Sequence, residues 1–576
     1  MQKMEIQRMK TKKLIIVITT IAVVAAICVV SSNYNFSYFF AEMVYGGENG
    51  IESNIIFSKQ SGFYEEEFQL KIYAPSDEIY YTLDGSEPNR ESLRYDAPIL
   101  IDDATKNENV YSLRTDVCGS FIAGDTLYTI PDYLVDKCTV IKVAYYDETG
   151  NLSAAETRNY FVNYDEKAGY ENISIISVTT DSENLFSDDK GIYVLGDSFK
   201  EYCEENDLST KSYYRWGANF LNRGREWERN VNIQVFDENK ELVLSQNVGM
   251  RIQGGVSRGL LPKSLNFYAR DEYGDNRMKY DFFDTGYYPQ RVTLSGGGND
   301  YYSKMLDKLG AELTEDLEFC KMTFKPYALF LNGEYWGFYH LTEKYDEHYI
   351  EHYYDVESDH VIIIKNGNLE VGTEEDYIAY IQMREFVENA DMSLEENYQK
   401  ACELLDINSF IDYFAAEIYM ARQVDWPSSN YALWRSRESS NKKYEDSKWR
   451  WMLFDVNTAA FLDAYVDHNT LTYVRNESKM FDNLYNNQEF KNTFNRRLLE
   501  MSDTIFKPSI VEQTVNEYIQ LMSEPMNNNH KRFFNTDNGA FTNRADEMLE
   551  FAKQRKLYVE AMIGKNPEIL ATMWSE

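Results

Sequence analysis

The rhythm of apolar positions divides the chain into stretches of different character. Leu14 to Val30 is an uncharged, almost wholly apolar run. As a helix its seventeen residues would span ~26 Å, enough for one membrane crossing. From Ile55 to about Val162 the pattern changes to short β-like runs broken by turn residues. Phe68–Tyr73 alternates, Glu78–Leu83 runs into the turn Asp84-Gly85-Ser86-Glu87-Pro88, and Val140–Tyr146 ends at Asp147–Gly150. This pattern predicts a small antiparallel sandwich. From Ile173 the pattern is mixed. Ile173–Thr179 and Val231–Phe236 read as strands, and Tyr327–Glu343 reads as two strands around Asn332-Gly333, a type I′ hairpin signal. Past Asp455 the apolar residues recur at three and four, predicting helices over Met480–Ile505, Ser509–Met522 and Asn543–Ile563.

The pattern therefore predicts a multidomain chain: a membrane-anchor helix, an all-β sandwich, then an α+β domain with a helical C-terminal lobe. The expected boundaries are 1–32 for the cytoplasmic stub and anchor, 33–53 for a tether, 54–165 for the sandwich and 170–565 for the large domain. Lys3, Arg8, Lys10, Lys12 and Lys13 precede the apolar run, and the next basic residue is Lys59. By the positive-inside rule the N-terminus is cytoplasmic, and the bulk is extracellular on a single-pass anchor in the cell membrane. The rival is a cleaved signal peptide, with Ala26-Ile27-Cys28 the nearest small-x-small site, which would make the protein secreted.

Composition narrows the partners. The net charge is −36, which repels nucleic acid and anionic membrane from the folded bulk. Any nucleotide site would need its own local cations and metal. Six His and six Cys, with no CxxC or HExxH, argue against zinc. The 43% hydrophobic content supports real cores across several domains, and forty-six Tyr provide amphipathic rings for half-buried positions. Cys118 and Cys138 fall in the sandwich stretch. Outside the cell a bridge and a pair of thiols both stay open, because sequence does not give their separation.

The chemistry concentrates in Ala421–Ala460. Asp425 is followed five places on by Asn430, and Asp455 closes the apolar run Trp449–Phe454, with Val456-Asn457 after it. An Asp, an Asn five on and a second Asp after a strand form the polar arrangement of protein-kinase sites. There the first Asp orients the acceptor hydroxyl. The Asn and second Asp give Mg²⁺ the hard oxygens it requires.

Longer motifs add a resemblance. VGMRIQGGVSRGLLPKSLNFYAR, YALFLNGEYWGFYHLTEKYDEHYI, DWPSSN and WRWMLFDVN, in that order, resemble the spore coat protein H (CotH) kinase family from about Ile173 to Ile563. The earlier stretch containing IYYTLDGSEPN and KCTVIKVAYYDETGNLS resembles the chitobiase/β-hexosaminidase C-terminal-like β-sandwich module. The kinase resemblance implies an atypical kinase-like fold, ATP, Mg²⁺ or Mn²⁺, and phosphorylation of Ser or Thr on cell-surface or spore-coat proteins. It implies that Asp425 is catalytic and that Asn430, Asp455 and Asn457 face metal. Gly254 and Gly255, with Ser257 and Arg258, stand as the phosphate-proximal loop. Lys263 stands as the phosphate lysine, and Glu343 lies beside the adenine at the hinge. The sandwich resemblance implies a wall-glycan contact or a spacer lifting the next domain off the membrane.

The chain departs from ordinary kinases in places. Gln423-Val424 precede Asp425 instead of His-Arg, and Val-Asn follow Asp455 instead of Phe-Gly. The glutamate partner of Lys263 stays open among Glu312, Glu315 and Glu318. The alternative function is a non-catalytic surface adhesin or wall-binding protein on the same fold.

Overall fold

The structure is a computed structural model that describes Tyr38 and residues 54–575, Glu166 and Ala459 excepted. The expected anchor over 14–30 lies outside the described residues, as does the tether apart from Tyr38. Among the described residues no helix is long and apolar enough to cross a membrane. The chain forms two compact units. The first takes the described residues up to Lys106 together with Lys137–Asp165, and the second takes Asn107–Asp136 and the chain after Asp165.

The first unit is β-rich. Gly62–Tyr64 lies parallel to Glu156–Val162, which pairs antiparallel with Thr139–Tyr145. Ile79–Thr82 continues that sheet and Leu93–Arg94 ends it. Phe68–Tyr73, expected as one strand, is two. Phe68–Leu70 pairs with Ile99–Ile101, while Ile72–Tyr73 pairs with Ile56–Phe57. Leu70, Ile72, Ile79, Ile101, Ile141, Val143 and Tyr160 close one apolar core.

The sandwich expected over 54–165 is thus interrupted by residues 107–136, which belong to the second unit. Two features hold that segment there. Val117, Cys118 and Tyr128 are buried in the core of the second unit. In addition, the buried Glu334 carboxylate accepts the backbone N–H groups of Val110, Tyr111 and Ser112 at 2.5, 3.2 and 2.8 Å. The bridge considered between Cys118 and Cys138 is not formed. Cys118 is a buried thiol of the second unit with its Sγ 3.2 Å from the Gly259 carbonyl, and Cys138 is a buried thiol of the first.

The second unit starts with a closed seven-stranded barrel. Its strands are β1 (Ser174–Thr179), β2 (Arg229–Phe236), β3 (Leu242–Ile252), β4 (Leu265–Tyr268), β5 (Arg291–Ser295), β6 (Phe324–Leu331) and β7 (Glu334–Thr342). The order around the barrel is β1-β2-β3-β4-β5-β7-β6, and a parallel β1–β6 pairing closes it. Asn332 and Gly333, at φ 45° and 89°, make the left-handed turn between β6 and β7 that the sequence signals. Helix α1 (Leu306–Leu313) lies between β5 and β6, and α2 (Glu347–Tyr354) follows β7 with Asp346 capping its first amides.

A smaller sheet follows, made of β8 (Val361–Lys365), β9 (Asn368–Val371), β10 (Ala432–Ser436) and β11 (Arg450–Met452) in the order β9-β8-β10-β11. The apolar helix α3 (Ile407–Tyr419) precedes β10. The C-terminal region is helical. The helix expected over Met480–Ile505 is two, Lys479–Tyr485 and Gln488–Asp503, because Asn487 caps the second by accepting the Phe490 N–H. The helix expected to stop at Met522 runs over Pro508–Phe534, through Pro525. Met522, Pro525, Met526, Asn529 and Phe533 are all buried, so tertiary packing outweighs the local break.

Candidate active site

Strand pairing brings the two acidic segments together. β10 and β11 are antiparallel with Ala432 opposite Met452. The start of β10 therefore adjoins the end of β11, which places Asn430, two residues before β10, near Asp455, three residues after β11. The backbone here is unusual. Ala421, Val424, Asn430 and Asp455 have φ of 60°, 73°, 52° and 59°. A β-branched residue at φ 73° is a true outlier, and Val424 is 69% exposed. Such strain persists only where surrounding contacts over-determine it, and it gathers at functional sites.

Those contacts are polar. Asp425 accepts from the Arg422 guanidinium at 3.2 Å and from Asn430 Nδ2 at 2.8 Å. Arg422 is fully buried and lies 3.7 Å from Glu417 of α3, whose carboxyl burial pushes up to about 7 against the pull of Arg422. On the other side Asp307 of α1 accepts the Val456 N–H at 2.7 Å and Asn457 Nδ2 at 2.8 Å. The same Asn457 amide donates to Asp455 Oδ1 at 2.8 Å. Burial, then the charge of Asp455, raises the Asp307 carboxyl to about 7.

Asp307 and Asp455, with Asn430 and Asn457, line a cleft of about 700 Å³. Its barrel wall is cationic. Arg251 of β3 lies over the Tyr268 ring at 4.1 Å and 3.4 Å from the buried Glu228 carboxylate. Arg291 of β5, Lys344 after β7 and Lys365 at the end of β8 line the same cleft, Lys365 over the Phe454 ring at 4.3 Å. Burial and the neighbouring Arg291 charge lower the Lys344 ammonium, and burial, then the charge of Lys344, lowers Lys365. Like charges held this close favour an anion between them. The apolar part includes Phe324, Tyr345, Ile363 and Leu453.

The family model described as CotH kinase protein matches residues 250–559, more than half of the chain. The chain belongs to the CotH kinase protein family. The model described as Fn3 associated matches residues 68–160, within the stretch expected to be a β-sandwich module. No curated protein matches the chain.

Of the site residues expected for a CotH kinase protein, Gly254, Gly255, Ser257, Arg258, Glu343, Asn430, Asp455 and Asn457 line the cleft. Asp425 does not line it but bonds to Asn430, which does. Gly254 adopts φ 115°, and a Cβ there would fall 2.3 Å from Ser257 Oγ, so the loop requires glycine. Arg258 is corrected from phosphate donor to brace. Its guanidinium donates to the carbonyls of Gly254, Phe220, Asn222 and Ile252, and burial lowers its pKa to about 10. Glu343 is buried and held by the Thr323 N–H and the Tyr353 hydroxyl.

Lys263 is the largest correction. It does not line the cleft. Strand neighbours alternate between faces, and β4 with its approach turns Ser264, Asn266 and Tyr268 to the cleft. Lys263 takes the opposite phase with the core residues Leu265 and Phe267. It is 0% exposed, donates to the Arg258 and Leu260 carbonyls at 2.6 and 3.4 Å, and lies 3.7 Å from the Phe220 ring centre. Burial lowers its ammonium to about 7. The search for its partner among Glu312, Glu315 and Glu318 has no object. The braced cation on the cleft wall is Arg251, and its glutamate is Glu228.

Sequence reasoning missed Asp307, Arg251, Arg291, Lys344 and Lys365. Arg251 stood inside a quoted motif, and Asp307 sat unremarked in the first turn of an amphipathic helix. Asn457, expected as a metal oxygen, instead presents its amide N–H to both acids while its oxygen faces the Asn299 N–H at 3.4 Å. The donor set fits a hard divalent cation. Asp455, Asp307 and the Asn430 amide line the same cleft and supply oxygen donors. Among the described residues no three His, Cys, Asp or Glu side chains form a closed cage.

Proposed function

We propose that the cleft binds ATP with Mg²⁺ or Mn²⁺ and transfers the γ-phosphoryl group to Ser or Thr of a protein. One observation carries this reading: Arg251, Arg291, Lys344 and Lys365 line the same cleft as Asp307, Asn430 and Asp455 in a chain of net charge −36. Arg251, Arg291, Lys344 and Lys365 would hold the triphosphate, and Phe324, Ile363 and Leu453 beside Tyr345 would take the adenine. Asp455 and Asn430, with Asp307 beside them, would hold the cation, which would supply positive charge against the phosphates. Asp425 positions the acceptor hydroxyl. Its carboxylate takes the proton as the hydroxyl oxygen attacks the γ-phosphorus and the bond to the β-phosphate oxygen breaks, releasing ADP.

We further propose that residues 14–30 anchor the chain in the cell membrane. The bulk would then lie outside, acting on cell-surface or spore-coat proteins, and the sandwich unit would serve as spacer or wall contact. The observation favouring binding without turnover is that Lys263 faces away from the cleft.

The test is the full chain with labelled ATP and Mg²⁺ or Mn²⁺. Asp425→Asn should still bind Mg–ATP and lose turnover by about 10²–10⁴-fold. Asp455→Ala should lose both metal-dependent binding and turnover. Wild-type protein that binds ATP but phosphorylates neither itself nor Ser-rich peptides would transfer the reading to a binding protein.

A further inference from the structure

We propose that Asp307 is a latch on the metal loop: from the first turn of α1 it holds residues 456 and 457 and thereby fixes the carboxylate of Asp455 before any cation arrives. This positioning role rests on the proposed metal role of Asp455.

The geometry is bidentate. One Asp307 oxygen takes the backbone N–H of Val456 at 2.7 Å and the other takes Asn457 Nδ2 at 2.8 Å. The Asn457 amide then reaches Asp455 Oδ1 at 2.8 Å, so a continuous chain of hydrogen bonds runs from the helix to the metal-facing carboxylate. Asp455 sits at φ 59°, in the left-handed region that aspartate tolerates.

Two glycines point to the same docking. Gly310 stands one turn beyond Asp307, on the same face of α1, in a helix interior where glycine is disfavoured. A Cβ there would lie 3.0 Å from Val456 Cγ2, so its absence lets the helix approach the loop. Gly298, at φ 58°, would place a Cβ 3.1 Å from Asn457 Nδ2. Asp307, Gly310 and Gly298 thus form one surface fitted to Val456 and Asn457.

The experiment has two arms, both on the full chain. The first is amide hydrogen exchange at 456 and 457 without metal or nucleotide. The second is calorimetry of ATP with and without Mg²⁺. Asp307→Ala should raise exchange at those amides and reduce the Mg²⁺-dependent gain in ATP affinity about 10–100-fold, as loss of a ligand-orienting partner does. Affinity in EDTA should hold, because the cationic wall is intact. Gly310→Ala keeps every charge and should give the same phenotype in weaker form. Unchanged exchange in Asp307→Ala, even with lost metal affinity, would overturn the latch and make Asp307 a direct ligand. Failure of the kinase reading looks different: Mg²⁺ would add nothing to ATP affinity in the wild-type protein.

Discussion

Lys263→Met separates a phosphate lysine from a structural one. Methionine nearly matches the length of the lysine stem and removes only the ammonium. In the native chain that ammonium is fully buried and held at about 7 against an ordinary 10.5. The difference corresponds to about 4–5 kcal/mol of stability lost while the group must be buried charged. Removing the ammonium relieves that loss. It also leaves the Arg258 and Leu260 carbonyls without their donor, at about 1–3 kcal/mol for a group left unsatisfied. The contact with Phe220 disappears as well, worth about 2 kcal/mol for a desolvated cation over a ring. The terms nearly cancel, so the variant should match or slightly exceed wild type at pH 7. The lysine has a lowered folded pKa, so its penalty is complete below about 7 and is relieved as pH rises towards 10.5. Wild type should therefore gain on the variant across that window. Thermal melts from pH 6.5 to 10 measure this, and calorimetry should find Mg–ATP affinity within about twofold of wild type. A loss of ATP affinity beyond tenfold with unchanged melting would refute the reasoning, and a difference in melting that is flat with pH would refute the lowered pKa.

Arg251→Met and Lys344→Met should each weaken ATP binding about tenfold or more, with a shallower salt dependence, measured by calorimetry at two ionic strengths. Glu334→Ala removes the acceptor of the 110–112 amides, of which only that of Ser112 is fully buried, and should destabilise the second unit by about 1–3 kcal/mol, seen in scanning calorimetry; a chain lacking 107–136 should fail to fold that unit. His468 is fully buried, and burial, then Arg555, lowers it to about 4. Its folded pKa is below the unfolded 6.5, so the native state should lose up to about 3 kcal/mol as pH falls from 6.5 to 4, and His468→Gln should flatten that slope in urea denaturation.

Local patterns that depend on nearest neighbours were legible in the chain. The Asn332-Gly333 turn follows from the left-handed backbone a two-residue hairpin requires. The strands near 79–82, 139–145 and 174–179 follow from short apolar and β-branched runs bounded by turn residues. Asp425, Asn430 and Asp455 could be read as one site because each adjoins a recognisable strand or turn. Alternation gives a strand two faces but does not say which one meets the core. That choice belongs to barrel closure, and it sent Lys263 inward while Ser264, Asn266 and Tyr268 faced the cleft. A charge carries its sign in the sequence, but its task depends on burial, which made Arg258 a brace for carbonyls and left Arg251 on the cleft wall beside Glu228 and Tyr268. The stretch 107–136 lies between two segments of the first unit in the chain, yet its apolar side chains and backbone amides found their partners in the second. Asp307 and Asp455 are far apart along the chain, and only the packing of α1 against the end of β11 made them neighbours.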